Sequence, residues 1–329
     1  MVKLESGRNI IMGIENLYTS FYTKEGEVKA VNGINLSLYE KSILGVVGES
    51  GSGKSATALS IMRLLPEPGV IKSGSVHFEK LNVLELNYEE LRQVRGKDMA
   101  MIFQEPLSAL NPLVNIETHM QEVLQAHSSM SKRDAKDISL QLLAEFDIPS
   151  PSETLKLYPF QLSGGQIQRV MIAMSMAWQP RMLIADEITS NLDVTLQADV
   201  LDRLRRLISE KQSSIVLITH DMGVIAQLAE FVAVMYAGSI VEYSSTIDLF
   251  NKPYHPYTDA LLQTIPRLDQ PDRNLQQIPG SPPDLIDLPD QCPYLSRCSK
   301  ATNQCRLEPR PLLREIRPGH FVACYNELQ

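Results

Sequence analysis

The segment GESGSGKS, which begins at Gly48, restricts the local fold more than any other part of the sequence. It follows the apolar run ILGVV and precedes a predicted helical run from Lys54 to Leu65. Glycines allow several backbone N–H groups to converge on phosphate oxygens, and the helix N-terminus adds a partial positive charge. The pattern GxxxxGK[ST] between a strand and a helix therefore predicts a phosphate-binding loop (P-loop).

The positions of this loop have distinct predicted roles. Lys54 is expected to reach the β- and γ-phosphates of a nucleotide, and Ser55 is expected to bind Mg²⁺. The alternative is a glycine-rich surface turn with an exposed lysine, but the flanking strand and helix favour the loop. The residues assigned to the nucleotide are Gly48, Ser50, Gly51, Ser52, Gly53, Lys54, Ser55 and Ala56.

A second apolar run, RMLIADE, ends in two adjacent acids. Asp186 fits the carboxylate that orients Mg²⁺, and Glu187 is placed to accept a proton from the attacking water. Two acids at a strand end can also be a plain solvated terminus. Together with the P-loop, however, they predict a nucleoside triphosphatase.

Five short apolar runs, beginning at residues 42, 99, 182, 214 and 231, alternate with helical stretches. Runs of this kind predict parallel strands that are buried on both faces, as in an α/β fold. The amino-terminal segments INLSL and VHFEK predict short antiparallel strands, and residues from about 105 to 178 carry amphipathic helical spacing. We therefore predict an α/β core with an antiparallel β subdomain and a helical subdomain.

From Pro266 onward the chain is rich in proline, which excludes long helices there. The predicted domains are a nucleotide-binding domain at 1–263 and a carboxy-terminal extension at 264–329. All four cysteines of the chain lie in this extension. The net charge of −8 argues against a nucleic-acid partner, and no apolar run is long enough to span a bilayer.

The segment LSGGQ at 162–166 predicts a helix start with exposed N–H groups, which is a second anion site. With this motif, the P-loop and the acid pair, the chain resembles the ATP-binding subunit of ABC transporters. The resemblance implies that two such subunits meet head to tail. Each ATP then lies between the P-loop of one subunit and the other subunit's Ser163, Gly164, Gly165 and Gln166.

The same resemblance implies roles for other residues. Gln104 contacts Mg²⁺ and the attacking water, His220 contacts the γ-phosphate, and Asp193 connects the two sites across the dimer. Either Phe21 or Tyr22 stacks on adenine, although an ordinary strand aromatic is the alternative for both. The chain departs from the family pattern by having Ile188 in place of proline and Asn191 in place of alanine.

Longer stretches, including FQEPLSALNPL and PYHPYTDALLQTIPRL, resemble the D-type ATPase subunits of dipeptide and oligopeptide importers. This implies ATP-driven peptide uptake at the cytoplasmic face of the cell membrane, as a peripheral subunit. The implied partners are an F-type ATPase subunit, two transmembrane permease subunits and, indirectly, an extracytoplasmic binding protein. Import of nickel or a metal chelate is an alternative because the ATPase does not contact the cargo, and a soluble ABC-type ATPase is a minor one.

The cysteines are spaced Cx5Cx6Cx18C, at Cys292, Cys298, Cys305 and Cys324. Four thiolates can bind zinc, but structural zinc sites usually contain tight CxxC pairs, which are absent here. Soft sulfur ligands also suit an iron–sulfur cluster. The spacing resembles D-type tails that carry a [4Fe–4S] cluster, which is the predicted cofactor beside ATP and Mg²⁺; zinc and unligated cysteines remain alternatives.

Overall fold

The computed structural model describes residues 7–188, 197–198, 200–202, 204–206, 212–265 and 277–328. The chain divides into two compact units. The first unit comprises Met1–Glu85 and Leu217–Gln329, and the second comprises Leu86–Val216. The predicted domain boundary at 263/264 and the helical subdomain at about 105–178 stay predictions.

The first unit contains an antiparallel sheet formed near the amino terminus. Its strands are β1 (Ile10–Thr23), β2 (Gly26–Tyr39), β4 (Gly69–Phe78) and β5 (Leu81–Asn82). Their order in the sheet is β2-β1-β4-β5, and each neighbouring pair is antiparallel. INLSL lies within β2 and VHFEK begins within β4, so antiparallel strands are confirmed there. At 14 and 10 residues, however, they are longer than the short strands predicted.

Five further strands of the first unit are hydrogen-bonded in the order β11-β12-β10-β9-β3. They are β3 (Ile43–Val47), β9 (Phe231–Tyr236), β10 (Ser239–Ser245), β11 (Arg314–Arg317) and β12 (His320–Val322). Strands β3 and β9 are parallel and buried throughout, as their continuous apolar sequences predicted. Strand β12 belongs to the proline-rich tail. Its pairing with β10 attaches the tail to the sheet that contains β3, the strand before the P-loop.

The helices of the first unit follow strands or turns and are mostly short. They are α1 (Lys54–Ile61), α7 (Met222–Leu228), α8 (Thr246–Asn251), α9 (Pro256–Gln263) and α10 (Asn303–Leu307), with a 3₁₀ turn at Leu295–Arg297. Helix α1 is shorter than the predicted run to Leu65. It ends because Arg63 has a left-handed φ of 51° and the chain then enters prolines at 66 and 68.

The second unit combines two parallel strands with most of the longer helices. Strands β6 (Met99–Ile102) and β7 (Met182–Asp186) are paired in parallel, and β8 (Ser214–Thr219) carries the chain from this unit into the first. Its helices between residues 86 and 188 are α2 (Tyr88–Val94), α3 (Ile116–Gln125), α4 (Lys132–Glu145), α5 (Pro151–Thr154) and α6 (Gly164–Ser175), with a 3₁₀ turn at Pro159–Gln161. Helices α3 and α4 confirm the predicted amphipathic segments. Their first turns are capped by the side chains of Asn115 and Ser131.

Among the described helices, none combines the length and the hydropathy needed to cross a bilayer.

A buried carboxylate joins the tail to the sheet of the first unit. Glu242 on β10 has no exposed surface, and its oxygens accept hydrogen bonds from the backbone N–H groups of Tyr254 (2.8 Å) and His255 (2.9 Å). Oε1 of Glu242 also lies 2.7 Å from Nε2 of His320 on β12. Burial lowers the pKa of His255 to about 4, so this neighbouring imidazole is neutral. Glu242 therefore connects three separate segments of the first unit.

We expect Glu242→Ala to lower the free energy of unfolding by about 2–4 kcal/mol, because the buried donors would lose their acceptor. Urea denaturation followed by circular dichroism measures the loss. The control is Glu230→Ala, which removes an exposed pair with Arg8 and should cost less than about 1 kcal/mol. Equal losses for the two variants would contradict this role of Glu242.

Candidate nucleotide-binding site

The P-loop connects β3 to α1 and approaches neighbouring backbone closely. Gly51 and Gly53 have left-handed φ values of 77° and 101°, which favour glycine. A Cβ atom on Gly53 would collide with the carbonyl oxygen of Ala30, and one on Gly48 would collide with that of Met235. Conformation thus favours glycine at Gly51 and Gly53, and space requires it at Gly48 and Gly53.

Backbone hydrogen bonds hold the loop from both sides. The N–H of Gly238, in the turn between β9 and β10, donates to the carbonyl oxygen of Ser52 at 2.9 Å. Within α1, the N–H and the hydroxyl of Thr57 both donate to the carbonyl oxygen of Gly53 at 2.9 Å. These contacts fix the path of the loop backbone between β3 and α1, and with it the orientation of the loop's other N–H groups.

The side chain of Lys54 is buried and lies over its own loop. Its Nζ donates to the carbonyl oxygens of Gly48 (2.8 Å) and Glu49 (3.0 Å). Ser55 and Ala56 follow in the first turn of α1 and are half-buried. The loop therefore holds an ammonium group next to a hydroxyl at a helix N-terminus, which suits a phosphate with a bound cation.

The two candidate adenine-stacking aromatics lie at the end of β1, in the same unit as the P-loop. Phe21 is half-buried, and its ring edge leaves no room for a side chain at Gly69. Tyr22 is 49% exposed. Both alternatives stay open.

The second unit brings two predicted catalytic residues into contact. The Nε2 group of Gln104, which follows β6, donates to Oε2 of Glu187 at 2.9 Å. Because β6 and β7 are parallel, their carboxyl ends meet at one edge. Asp186 is buried at the end of β7, and Glu187 has a left-handed φ of 48° that directs it away from the strand. Strained backbone of this kind is common at functional sites.

The LSGGQ segment forms the start of α6. Ser163 caps the helix, and its N–H donates to Oε1 of Gln166 at 3.0 Å while the Gln166 N–H donates to Oγ of Ser163 at 3.3 Å. Ser163 and Gly164 are exposed, and a Cβ on Gly164 would meet no atom of the described residues within 4 Å. The helix start at Ser163 and Gly164 is therefore open to a second molecule, and Gly165 is half-buried.

The structure says less about two other predicted site residues, His220 and Asp193. His220 follows β8 in the first unit and is exposed. Asp193 lies outside the described residues, as does Asn191.

Sequence reasoning missed two residues that contact the P-loop. The N–H of Glu49 donates to Oη of Tyr257 at 2.9 Å, and the guanidinium of Arg297 pairs with the Glu49 carboxylate. They lie 208 and 248 residues from Glu49 in sequence. Tyr257 lies in the stretch PYHPYTDALLQTIPRL and Arg297 lies between Cys292 and Cys298, but neither stretch indicates a contact with the P-loop.

The four cysteines have free thiols and line one cavity together with Tyr294, Leu295 and Pro311. Burial raises the pKa of Cys292 to about 11 and that of Cys324 to about 12, so both thiols are protonated at neutral pH. No set of three or more His, Cys, Asp or Glu side chains among the described residues has the arrangement of a metal site. The donor chemistry and the shared cavity suit a soft metal centre, whereas the present thiol positions do not form one.

A glycine-rich loop with a buried lysine, strand-end acids and an exposed capped helix start define a P-loop nucleotide-binding protein. Comparison with known families identifies the kind of P-loop protein. Residues 31–190 match the ABC transporter family, and residues 241–305 match the oligopeptide/dipeptide transporter C-terminal region. The chain belongs to the ATP-binding proteins of ABC transporters, in the oligopeptide/dipeptide transport group.

Curated relatives and solved structures support this assignment. The chain is 43% identical to the dipeptide transport ATP-binding protein DppD of Bacillus subtilis, over 97% of this chain and 95% of that protein. It is 41% identical to the oligopeptide transport ATP-binding protein OppD of Salmonella typhimurium, over 98% and 95%. The dimeric bacterial ABC transporter cassette MJ0796 is 26% identical with a TM-score of 0.65, covering 71% of this chain and 98% of the cassette. The α/β cassette fold predicted from sequence is thereby confirmed.

We expect Gly53→Ala to abolish nucleotide binding, because the added Cβ would collide with the Ala30 carbonyl and force the loop open. Equilibrium titration with a fluorescent ATP analogue measures the effect. The matched control is Gly51→Ala, which has a similar left-handed φ but no described atom within 4 Å of the added Cβ. It should weaken binding far less, and equal affinities for the two variants would contradict the proposed packing.

Proposed function

We propose that this chain is the ATP-binding and ATP-hydrolysing subunit of an ABC importer for dipeptides or oligopeptides. The observation that carries the proposal is the P-loop with buried Lys54, in a chain that aligns over nearly its full length with peptide transport ATP-binding proteins. The relatives reported above are named for dipeptide or oligopeptide transport, so nothing in them favours nickel import or a soluble ATPase.

The P-loop binds the nucleotide through its backbone N–H groups and Lys54. The hydroxyl of Ser55 and the carboxylate of Asp186 are hard oxygen donors, which Mg²⁺ prefers, and Gln104 is the third proposed ligand. When bound, Mg²⁺ neutralises negative charge on the phosphates. One aromatic of the pair Phe21 and Tyr22 stacks on the adenine.

Hydrolysis uses the acid at the end of β7. Water attacks the γ-phosphorus, the bond to the oxygen bridging the β- and γ-phosphates breaks, and the proton of the water passes to Glu187. The Gln104 amide, which donates to one oxygen of Glu187, orients the carboxylate for this transfer. His220 contacts the γ-phosphate, and ADP and phosphate leave as products.

A second ATPase subunit completes each site. The exposed helix start at Ser163, Gly164, Gly165 and Gln166 binds the partner's nucleotide, and Asp193 links the two sites. We propose that the partner is an F-type paralogue, and that the pair lies under two permease subunits at the cytoplasmic face of the membrane. An extracytoplasmic binding protein supplies the peptide, and no nucleic acid takes part.

We expect Glu187→Gln to lower the rate of ATP hydrolysis by about 10²–10⁴-fold, because the amide cannot accept the proton. Phosphate release by the assembled transporter measures this rate, and ATP affinity should stay near the wild-type value. Glu153→Gln, which changes an exposed acid paired with Lys156, is the control and should retain full activity. Wild-type turnover in Glu187→Gln would refute the assignment.

We further propose that Cys292, Cys298, Cys305 and Cys324 bind a [4Fe–4S] cluster. The support is the donor chemistry, because four thiols around one cavity match the ligand set of such clusters. The raised pKa values of Cys292 and Cys324 mean that binding must release protons. The cluster is proposed to stabilise the tail and takes no part in hydrolysis.

Anaerobically purified protein should contain about four iron atoms and four sulfides per chain, with broad visible absorbance. Metal and acid-labile sulfide analysis measures both. Cys298→Ser should lose the absorbance, whereas the neighbouring Ser299→Ala should retain it. Zinc without iron, or no bound metal, would reject the cluster.

A further inference from the structure

The carboxy-terminal tail contacts the P-loop through an ion pair. Nη1 of Arg297 donates to Oε2 of Glu49 at 2.6 Å, and Nη2 donates to Oε1 at 3.1 Å. The Arg297 side chain is 3% exposed and that of Glu49 is 26% exposed. A bidentate pair shielded from water in this way is stronger and more directional than an exposed surface pair.

The tail holds the guanidinium in a single orientation. Nε of Arg297 donates to the carbonyl oxygen of Pro279 at 2.8 Å, and Nη1 also donates to Oη of Tyr236 at 3.2 Å. The guanidinium carbon lies 5.8 Å from the ring centre of Tyr236 and 6.0 Å from that of Tyr294. A guanidinium stays charged in proteins. Arg297 is thus a charged group that these contacts hold in one orientation.

The turn that carries Arg297 also carries two of the cysteines. The N–H of Leu295 donates to the carbonyl oxygen of Cys292 at 3.0 Å, and that of Arg297 donates to the carbonyl oxygen of Tyr294 at 3.1 Å. Cys298 follows Arg297 directly and lines the cysteine cavity. A change in the packing of the cysteines therefore moves the backbone from which Arg297 extends.

Glu49 is equally constrained on the loop side. Its N–H donates to Oη of Tyr257 at 2.9 Å, and its carbonyl oxygen accepts hydrogen bonds from Nζ of Lys54 (3.0 Å) and the N–H of Ser52 (3.2 Å). A displacement of Glu49 is therefore passed directly to Lys54, the residue that reaches the phosphates.

The charge of Glu49 would oppose nucleotide binding if it were not compensated. ATP is a polyanion, and a carboxylate within its binding loop repels it. Pairing with Arg297 makes this part of the loop neutral overall. It also directs the carboxylate toward the tail, because both of its oxygens bind the guanidinium.

We propose that Arg297 is a positioning residue for the P-loop: by neutralising and orienting Glu49, it makes ATP affinity depend on the packing of the cysteine-containing tail. The proposal rests on the proposed ATP binding at this loop. By linkage, ATP binding must stabilise the tail by the same factor by which the ordered tail strengthens ATP binding.

A purely structural role of the pair makes a different prediction. If the pair acted only as a link between segments, removing both side chains would impair the protein at least as much as removing one. If Arg297 compensates a charge, Arg297→Gln leaves Glu49 uncompensated beside the phosphates. Changing Glu49 to Gln as well then removes the repulsion, so the double variant should recover ATP affinity.

The test measures the Kd for ATP by titration calorimetry with the full-length chain at low ionic strength, where screening is weak. Arg297→Gln should raise the Kd about tenfold, the order expected for one uncompensated charge close to the phosphates. Glu49→Gln and the double variant should both stay within about threefold of wild type. A double variant that binds no better than Arg297→Gln would overturn the proposal, as would an unchanged Kd in Arg297→Gln.

The matched control is Arg310→Gln. Arg310 is another tail arginine, and it donates to the carbonyl oxygen of Asn32 (2.6 Å) and to Oη of Tyr18 (3.2 Å). Its loss should lower the melting temperature but raise the Kd for ATP much less than Arg297→Gln does, because the Arg297–Glu49 pair stays in place. An increase in Kd equal to that of Arg297→Gln would show a general effect of tail loosening and would contradict the specific role.

A second variant and a measurement on the wild-type protein keep the proposal falsifiable. If Arg297→Gln fails to fold, Arg297→Lys replaces it, because lysine keeps the charge and loses the bidentate geometry. Its Kd should rise severalfold, and a wild-type Kd would contradict positioning. Wild-type protein that binds no ATP would instead refute the proposed function, so the two failures are distinguishable.

Discussion

The close approach of the P-loop to neighbouring backbone is the constraint on which the site depends. Gly48 lies against the carbonyl of Met235 on β9, and Gly53 lies against that of Ala30 on β2. Backbone carbonyls held in sheets cannot move aside, so the loop has one position. The first unit thereby prepares the phosphate-binding geometry before a ligand arrives, which reduces the ordering that binding requires.

The tail contacts the same loop through polar groups. One cluster of buried residues joins Val322 and Cys324 of the tail to Tyr254. Beside the β10–β12 pairing, the carboxylate of Glu242 connects the tail to the sheet and the guanidinium of Arg297 connects it to the loop. Removing the partner of either buried group would leave an uncompensated charge. A few long-range pairs therefore determine the position of the tail.

The proposed catalytic acid and the LSGGQ segment of the second unit differ in their local contacts. Glu187 is oriented within its own unit by Gln104 and by a left-handed backbone conformation. The start of α6 at Ser163 is instead satisfied by its own capping box and remains exposed. The proposed proton acceptor needs local contacts that fix its orientation, whereas a surface proposed to meet a second subunit needs to be stable and open.

Sequence alone determined the elements whose signals are local. The glycine pattern predicted the P-loop, uniformly apolar runs predicted β3, β7 and β9, and amphipathic spacing predicted α3 and α4, because each depends on residues close together in the chain. Only the tertiary structure showed that α1 ends as early as Ile61 and that Arg297 pairs with Glu49. The pairing joins residues 248 positions apart. The sequence does not indicate which charged side chains will pair, because the partners come together only when the chain folds.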